Sequence, residues 1–274
     1  MNIFRDLKIN LFEGVFWTAV FAGVSMIVGG FVEALVWMQP SLRGLSIPVG
    51  FGLGFGLAGL IFMFVHKIGL SDIKDLLRPF PSLMVAALCV LLYFTSLPIA
   101  EYLSQLIPTE GVPYLEKLWK IFETTFAMVF EHKIAAFITI CILAPLIEEL
   151  LFRGFILRGM KNYGVNPWIA IPLSAFLFGA AHMNPWQLLG AGFIGLILGY
   201  IYWKTASLWL VIFLHALNNI IAFVITVKSE NLEEMIFDMQ PYFLVIPAAV
   251  SIGVAWLIHQ KTTNPKLESD FENY

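Results

Sequence analysis

Charged side chains are scarce in this sequence: Lys, Arg, Asp and Glu make up 13% of 274 residues. Soluble domains carry about 25%, so an ordinary water-soluble globule is excluded. Cysteine is nearly absent, with Cys89 and Cys141 the two examples. Both fall in apolar runs, which excludes a disulfide framework and reads them as small buried hydrophobes. No basic run or aromatic-basic stripe occurs, and the formal net charge is −3, so nucleic acid is excluded as a partner. The apolar runs do not alternate with polar residues, which argues against barrel strands.

What is abundant is long apolar sequence, with 59% hydrophobic residues. A hydrocarbon core of about 30 Å needs about 20 consecutive apolar residues in a helix. Eight such spans are expected, at 11–38, 45–66, 80–100, 134–158, 167–183, 186–203, 206–227 and 241–259. Only helices and closed barrels satisfy the backbone in lipid, so the fold class is all-α, a polytopic transmembrane helix bundle of about eight spans. The first run is too long for a leader and lacks a small-residue cleavage site, so it reads as a retained anchor flanked by Arg5 and Lys8.

With eight spans both termini share a side. That side holds Arg5, Lys8, Lys67, Lys74, Arg78, Arg158, Lys161, Lys204, Lys261 and Lys266, against Arg43, Lys117, Lys120, Lys133 and Lys228 opposite. The bias puts both termini in the cytoplasm and the acidic 228–240 connection on the other face. Segment 113–131, "PYLEKLWKIFETTFAMVFE", mixes charge with aromatics and is expected to lie flat at the interface. The glycines from Gly50 to Gly59, and Gly195 with Gly199, sit in spans and read as helix-packing contacts, not as a nucleotide turn. The tail "NPKLESDFENY" is polar and expected to be disordered at its end.

Ionisable residues inside spans cost at least about 2.5–3.5 kcal/mol each, which makes them functional candidates. His66, His132 and His259 lie at span ends, and Glu33 reaches the interface near the end of the first span. The remainder is a small set. In "APLIEELLFRGF", Glu149 and Arg153 are four apart and form an ion pair on one helix face, leaving Glu148 about 100° around the helix. Pro145 removes a backbone donor and admits a kink or water. "FGAAH" places Phe178 and His182 four apart, and "HALNN" does the same for His215 and Asn219. A carboxylate with a histidine deprotonates and positions water, while a histidine and an amide at one point supply oxyanion donors. The chemistry read from these residues is hydrolysis.

The three patterns Glu-Glu-x-x-x-Arg, Phe-x-x-x-His and His-x-x-x-Asn, in this order and within apolar spans, resemble the CPBP family. That family joins the type II CAAX prenyl endopeptidases to bacterial relatives linked with bacteriocin processing and self-immunity. The resemblance covers residues 130–225 and implies a chain organised as N-terminal helices (1–110), a catalytic core (111–230) and a last helix with a polar tail (231–274). It further implies an intramembrane endopeptidase in which Glu148 acts as general base, aided by His182. His215 and Asn219 would stabilise the tetrahedral intermediate, and Arg153 would hold Glu149. The substrate would be a membrane-anchored peptide or protein within the lipid bilayer of the cell membrane.

Three alternatives stay open: a catalytically silent immunity or scaffold protein, a proton-coupled transporter, and a zinc-dependent peptidase with Glu148, His182 and His215 as ligands. Metal-independent catalysis is favoured, because the sequence has no His-Glu-x-x-His pair and because base and oxyanion roles use the whole polar set.

Overall fold

Apolar sequence in lipid has to satisfy its own backbone, and the chain does so as helices joined by short turns. The computed structural model describes residues 7–39, 42–77, 81–228 and 240–262, and no strand occurs among them. Helix α1 spans Leu11–Trp37, α2 Arg43–Val65, the short α3 Leu70–Leu76 and α4 Leu83–Gln105. Helix α5 covers Pro113–Phe130. A long composite helix, α6, runs over Lys133–Tyr163, followed by α7 (Pro167–Ala180), α8 (Pro185–Thr205), α9 (Leu208–Lys228) and α10 (Val245–Thr262).

Polar residues at the helix ends satisfy the backbone groups that apolar spans leave open. Asn10 and Glu13 form a reciprocal capping box on α1, with bonds of 2.9 and 2.7 Å. Asn166 and Asn184 cap α7 and α8, each followed by a proline at the first helical position. Helix α6 stops at Gly164, whose φ of +92° suits glycine and lets the 164 and 165 amides bond back to Lys161 and Met160.

Among the described residues seven helices are long and apolar enough to cross a membrane, so the protein is an integral, multi-pass helix bundle. The expected span at 167–183 is a shorter apolar helix. Helix α7 has 14 residues, about 21 Å at 1.5 Å per residue, because the chain turns at Ala181 and Met183 takes φ +55°. Segment 113–131 is a separate amphipathic helix outside the spanning set. Its Trp119, Phe122, Phe126 and Phe130 form one aromatic face, resting on Trp186 of α8 and Phe223 of α9.

Small residues set the helix spacing. A Cβ at Gly54 would lie 2.7 Å from Ser25 Cα and one at Gly50 3.3 Å from Gly29 Cα, so α1 and α2 touch backbone to backbone. Gly179 and Gly195 serve the α7–α8 pair in the same way, and Gly190 seats α8 against Ala100 and Ser104 of α4. Cys89 and Cys141 are free and buried, and Glu33 is exposed. Arg5, Arg78, Lys266, the 229–239 connection and the polar tail lie outside the described residues.

Candidate functional site

The glutamate pair sits where α6 changes its winding. Residues Ala144–Glu149 are α-helical, but Ile138–Leu143 before them and Leu150–Leu157 after them are π-helical. Such widened turns are frequent at functional positions. Proline and register together explain one consequence. The Ala144 amide donates to Thr139 O instead of Ile140 O, and Pro145, next in line, has no N–H. The Ile140 carbonyl is thereby released, and Asn219 Nδ2 of α9 donates to it at 2.7 Å. Asn219 has a second amide hydrogen, which remains for another acceptor. The neighbouring Asn218 Nδ2 donates to Asn219 Oδ1 at 3.3 Å and fixes the orientation of the amide.

Glu149 is fully buried. Its Oε1 accepts from an Arg153 Nη at 2.8 Å, the i,i+4 pair expected from spacing. The same oxygen accepts from His215 Nδ1 at 2.9 Å, a link between residues 66 apart in sequence that the motifs do not reveal. Arg153, 1% exposed, donates its other Nη to Gly195 O of α8 at 2.9 Å. Its guanidinium lies 4.6 Å from the Phe178 ring centroid, a cation–π contact in a site shielded from water. One buried ion pair thus ties α6 to α7, α8 and α9.

Glu148 occupies a different environment. Its side chain keeps 13% exposure, and its Oε2 lies 3.9 Å from His215 Nε2. With Nδ1 donating to Glu149, His215 carries a hydrogen on Nε2 only as an imidazolium. Nε2 can therefore donate to a developing oxyanion in that form alone.

His182, half-buried just beyond the end of α7, has Nδ1 3.0 Å from the Phe178 carbonyl oxygen. This fixes the ring and turns Nε2 outward from that bond. The Phe178 ring meets both histidines edge-on, at 5.1 Å from His182 and 5.8 Å from His215. Sequence reading used Phe178 only as a spacing marker, yet its buried ring links the two histidines and the arginine.

The structure therefore draws Glu148, Glu149, Arg153, His215 and Asn219 together on α6 and α9, with His182 joined through Phe178. Among the described residues His182 makes no ion pair with Glu148, and no three His, Cys, Asp or Glu side chains converge as a metal ligand set. Glu148, His182 and His215 accordingly do not fit a zinc site in this arrangement.

Residues 130–221, which contain all six of these side chains, match the family described as Type II CAAX prenyl endopeptidase Rce1-like. The chain is also 35% identical over 89 residues to UPF0177 protein YaiF of Lactococcus lactis subsp. lactis (strain IL1403). That similarity covers 32% of this chain and 39% of the relative, so the chain spans about two-fifths of the length of the protein it matches. No solved structure matches the chain.

Proposed function

We propose that the protein is an intramembrane endopeptidase that hydrolyses peptide bonds of membrane-anchored peptides or proteins, with residues 111–230 as its catalytic core. The observation that carries this reading is the division of labour between adjacent glutamates. Glu149 is sealed and neutralised by Arg153 and His215, while Glu148, beside His215 Nε2, stays accessible. A packing role needs one buried pair; it does not need a second carboxylate held open next to a histidine.

In this reading Glu148 takes a proton from water as the water oxygen attacks the scissile carbonyl carbon, with His182 orienting the water. The carbonyl electron pair moves to oxygen, where His215 Nε2–H and the second Asn219 amide hydrogen receive it. Collapse breaks the C–N bond, and the proton held by Glu148 passes to the leaving amine. Arg153 and Glu149 hold His215 in place and take no proton. The match to CAAX endopeptidases over residues 130–221 supports the same assignment, and no step passes through a metal.

The lysine and arginine distribution supports both termini on the cytoplasmic side of the cell membrane, with α7 crossing as a short helix and the 228–240 connection on the outer side. The deciding experiment is cleavage of a membrane-anchored reporter peptide in proteoliposomes by wild type and Glu148→Gln. The amide keeps the shape but cannot accept water's proton, so turnover is expected to fall by about two orders of magnitude or more in a protein that melts like wild type. Near-wild-type turnover by folded Glu148→Gln sinks the assignment, and no cleavage by wild type favours a binding role instead.

A further inference from the structure

Three buried side-chain atoms that make no hydrogen bond belong to residues that act on one another electrostatically: Tyr93 Oη on α4, Glu149 Oε2 and Arg153 Nε on α6. Native proteins leave few buried polar atoms unpaired, and each exception asks for a partner. The three are chemically complementary. A phenol and a guanidinium Nε–H donate, and the second carboxylate oxygen accepts. Tyr93 is fully buried, so bulk water cannot take the place of that partner.

Position agrees with chemistry. Helix α4 packs on α8 through Gly190, Ala100 and Ser104, and α8 supplies the Gly195 carbonyl that already holds Arg153. Tyr93 projects into the core from the N-terminal part of the chain, outside the 130–221 match. Both defined partners of the glutamate, Arg153 and His215, bond Oε1, so the Oε2 end of the carboxylate has no bond that limits its tilt. A donor at Oε2 limits that tilt.

We propose that Tyr93 is a positioning residue for the glutamate pair, its phenol linked to Glu149 Oε2 through one buried water. Such a water would accept from Tyr93 Oη–H and Arg153 Nε–H and donate to Oε2, three partners that are typical of an internal water. Tyr93 then fixes the carboxylate plane, Glu149 fixes His215, and His215 holds Nε2 towards Glu148. The catalytic consequence rests on the peptidase reading above; the hydrogen-bond link does not.

The experiment has two arms. In the first, fluorotyrosine is placed at position 93 of the full chain and its fluorine NMR resonance is compared with and without Glu149→Gln. The resonance is expected to move, and should that variant fail to fold, Arg153→Lys takes its place. In the second, reporter cleavage by Tyr93→Phe is measured beside wild type and Glu148→Gln. A net hydrogen bond corresponds to about a three- to tenfold effect, expected in kcat with KM unchanged, since the phenol touches no substrate. An unmoved resonance overturns the proposal, as does an unchanged kcat in folded Tyr93→Phe when Glu148→Gln is inactive. If Glu148→Gln cleaves like wild type, the peptidase reading has failed and the resonance alone decides the role of Tyr93.

Discussion

Replacing Arg153 with alanine removes the partner of a carboxylate that no solvent reaches. Three interactions go at once: the 2.8 Å bond to Glu149, the 2.9 Å bond to the Gly195 carbonyl and the cation–π contact with Phe178. Breaking a buried pair from one side costs about 3–5 kcal/mol, because the surviving charge keeps its desolvation penalty. Here His215 still reaches Glu149 Oε1 at 2.9 Å, which places the expected loss near the lower end, about 3 kcal/mol, or about two orders of magnitude in the folded-to-unfolded ratio. The double variant Arg153→Met with Glu149→Gln removes both charges while keeping volume, so it should lose less than the two single changes added together, with a coupling of about 1–3 kcal/mol. Denaturation of purified protein in detergent, followed by size-exclusion fluorescence, measures wild type, Arg153→Ala, the singles Arg153→Met and Glu149→Gln, and the double variant. If Arg153→Ala is as stable as wild type, or if the two changes simply add, the buried pair does not carry the energy assigned to it.

Gly54→Ala puts a methyl 2.7 Å from Ser25 Cα and should destabilise the α1–α2 pair by about 1–3 kcal/mol, read from the same denaturation assay; a neutral outcome means the helices separate freely. Asn219→Ala leaves the Ile140 carbonyl without its 2.7 Å donor and removes the proposed oxyanion donor, so reporter turnover should fall by about two to three orders of magnitude, a loss that Asn218→Ala does not reproduce. Stripping purified protein with a strong chelator should leave turnover intact and elemental analysis should find no stoichiometric zinc; loss on stripping with recovery on zinc addition would make Glu148, His182 and His215 ligands.

The composition and run lengths of this chain determine that it is a bundle of membrane helices, because lipid leaves the backbone no alternative within an apolar stretch. Spacing along one helix determines the Glu149–Arg153 pair, since residues four apart share a face whatever surrounds them. The same local logic made the glycines of α2 packing contacts and separated 113–131 as an amphipathic helix. Other features depend on which helices become neighbours. That Oε1 of Glu149 also receives His215 and that Asn219 bonds the Ile140 carbonyl are hydrogen bonds across 66 and 79 residues, and Phe178 reaches His215 from another helix. The turn at Ala181 that shortens α7 is local, but hydropathy runs on through it and hides the end of the helix. The π-helical winding around Glu148 and Glu149 is a joint product: Pro145 withholds the backbone donor, and Asn219 of α9 donates to the released carbonyl. Periodicity therefore assigns residues to faces, and only the packed bundle decides which faces meet.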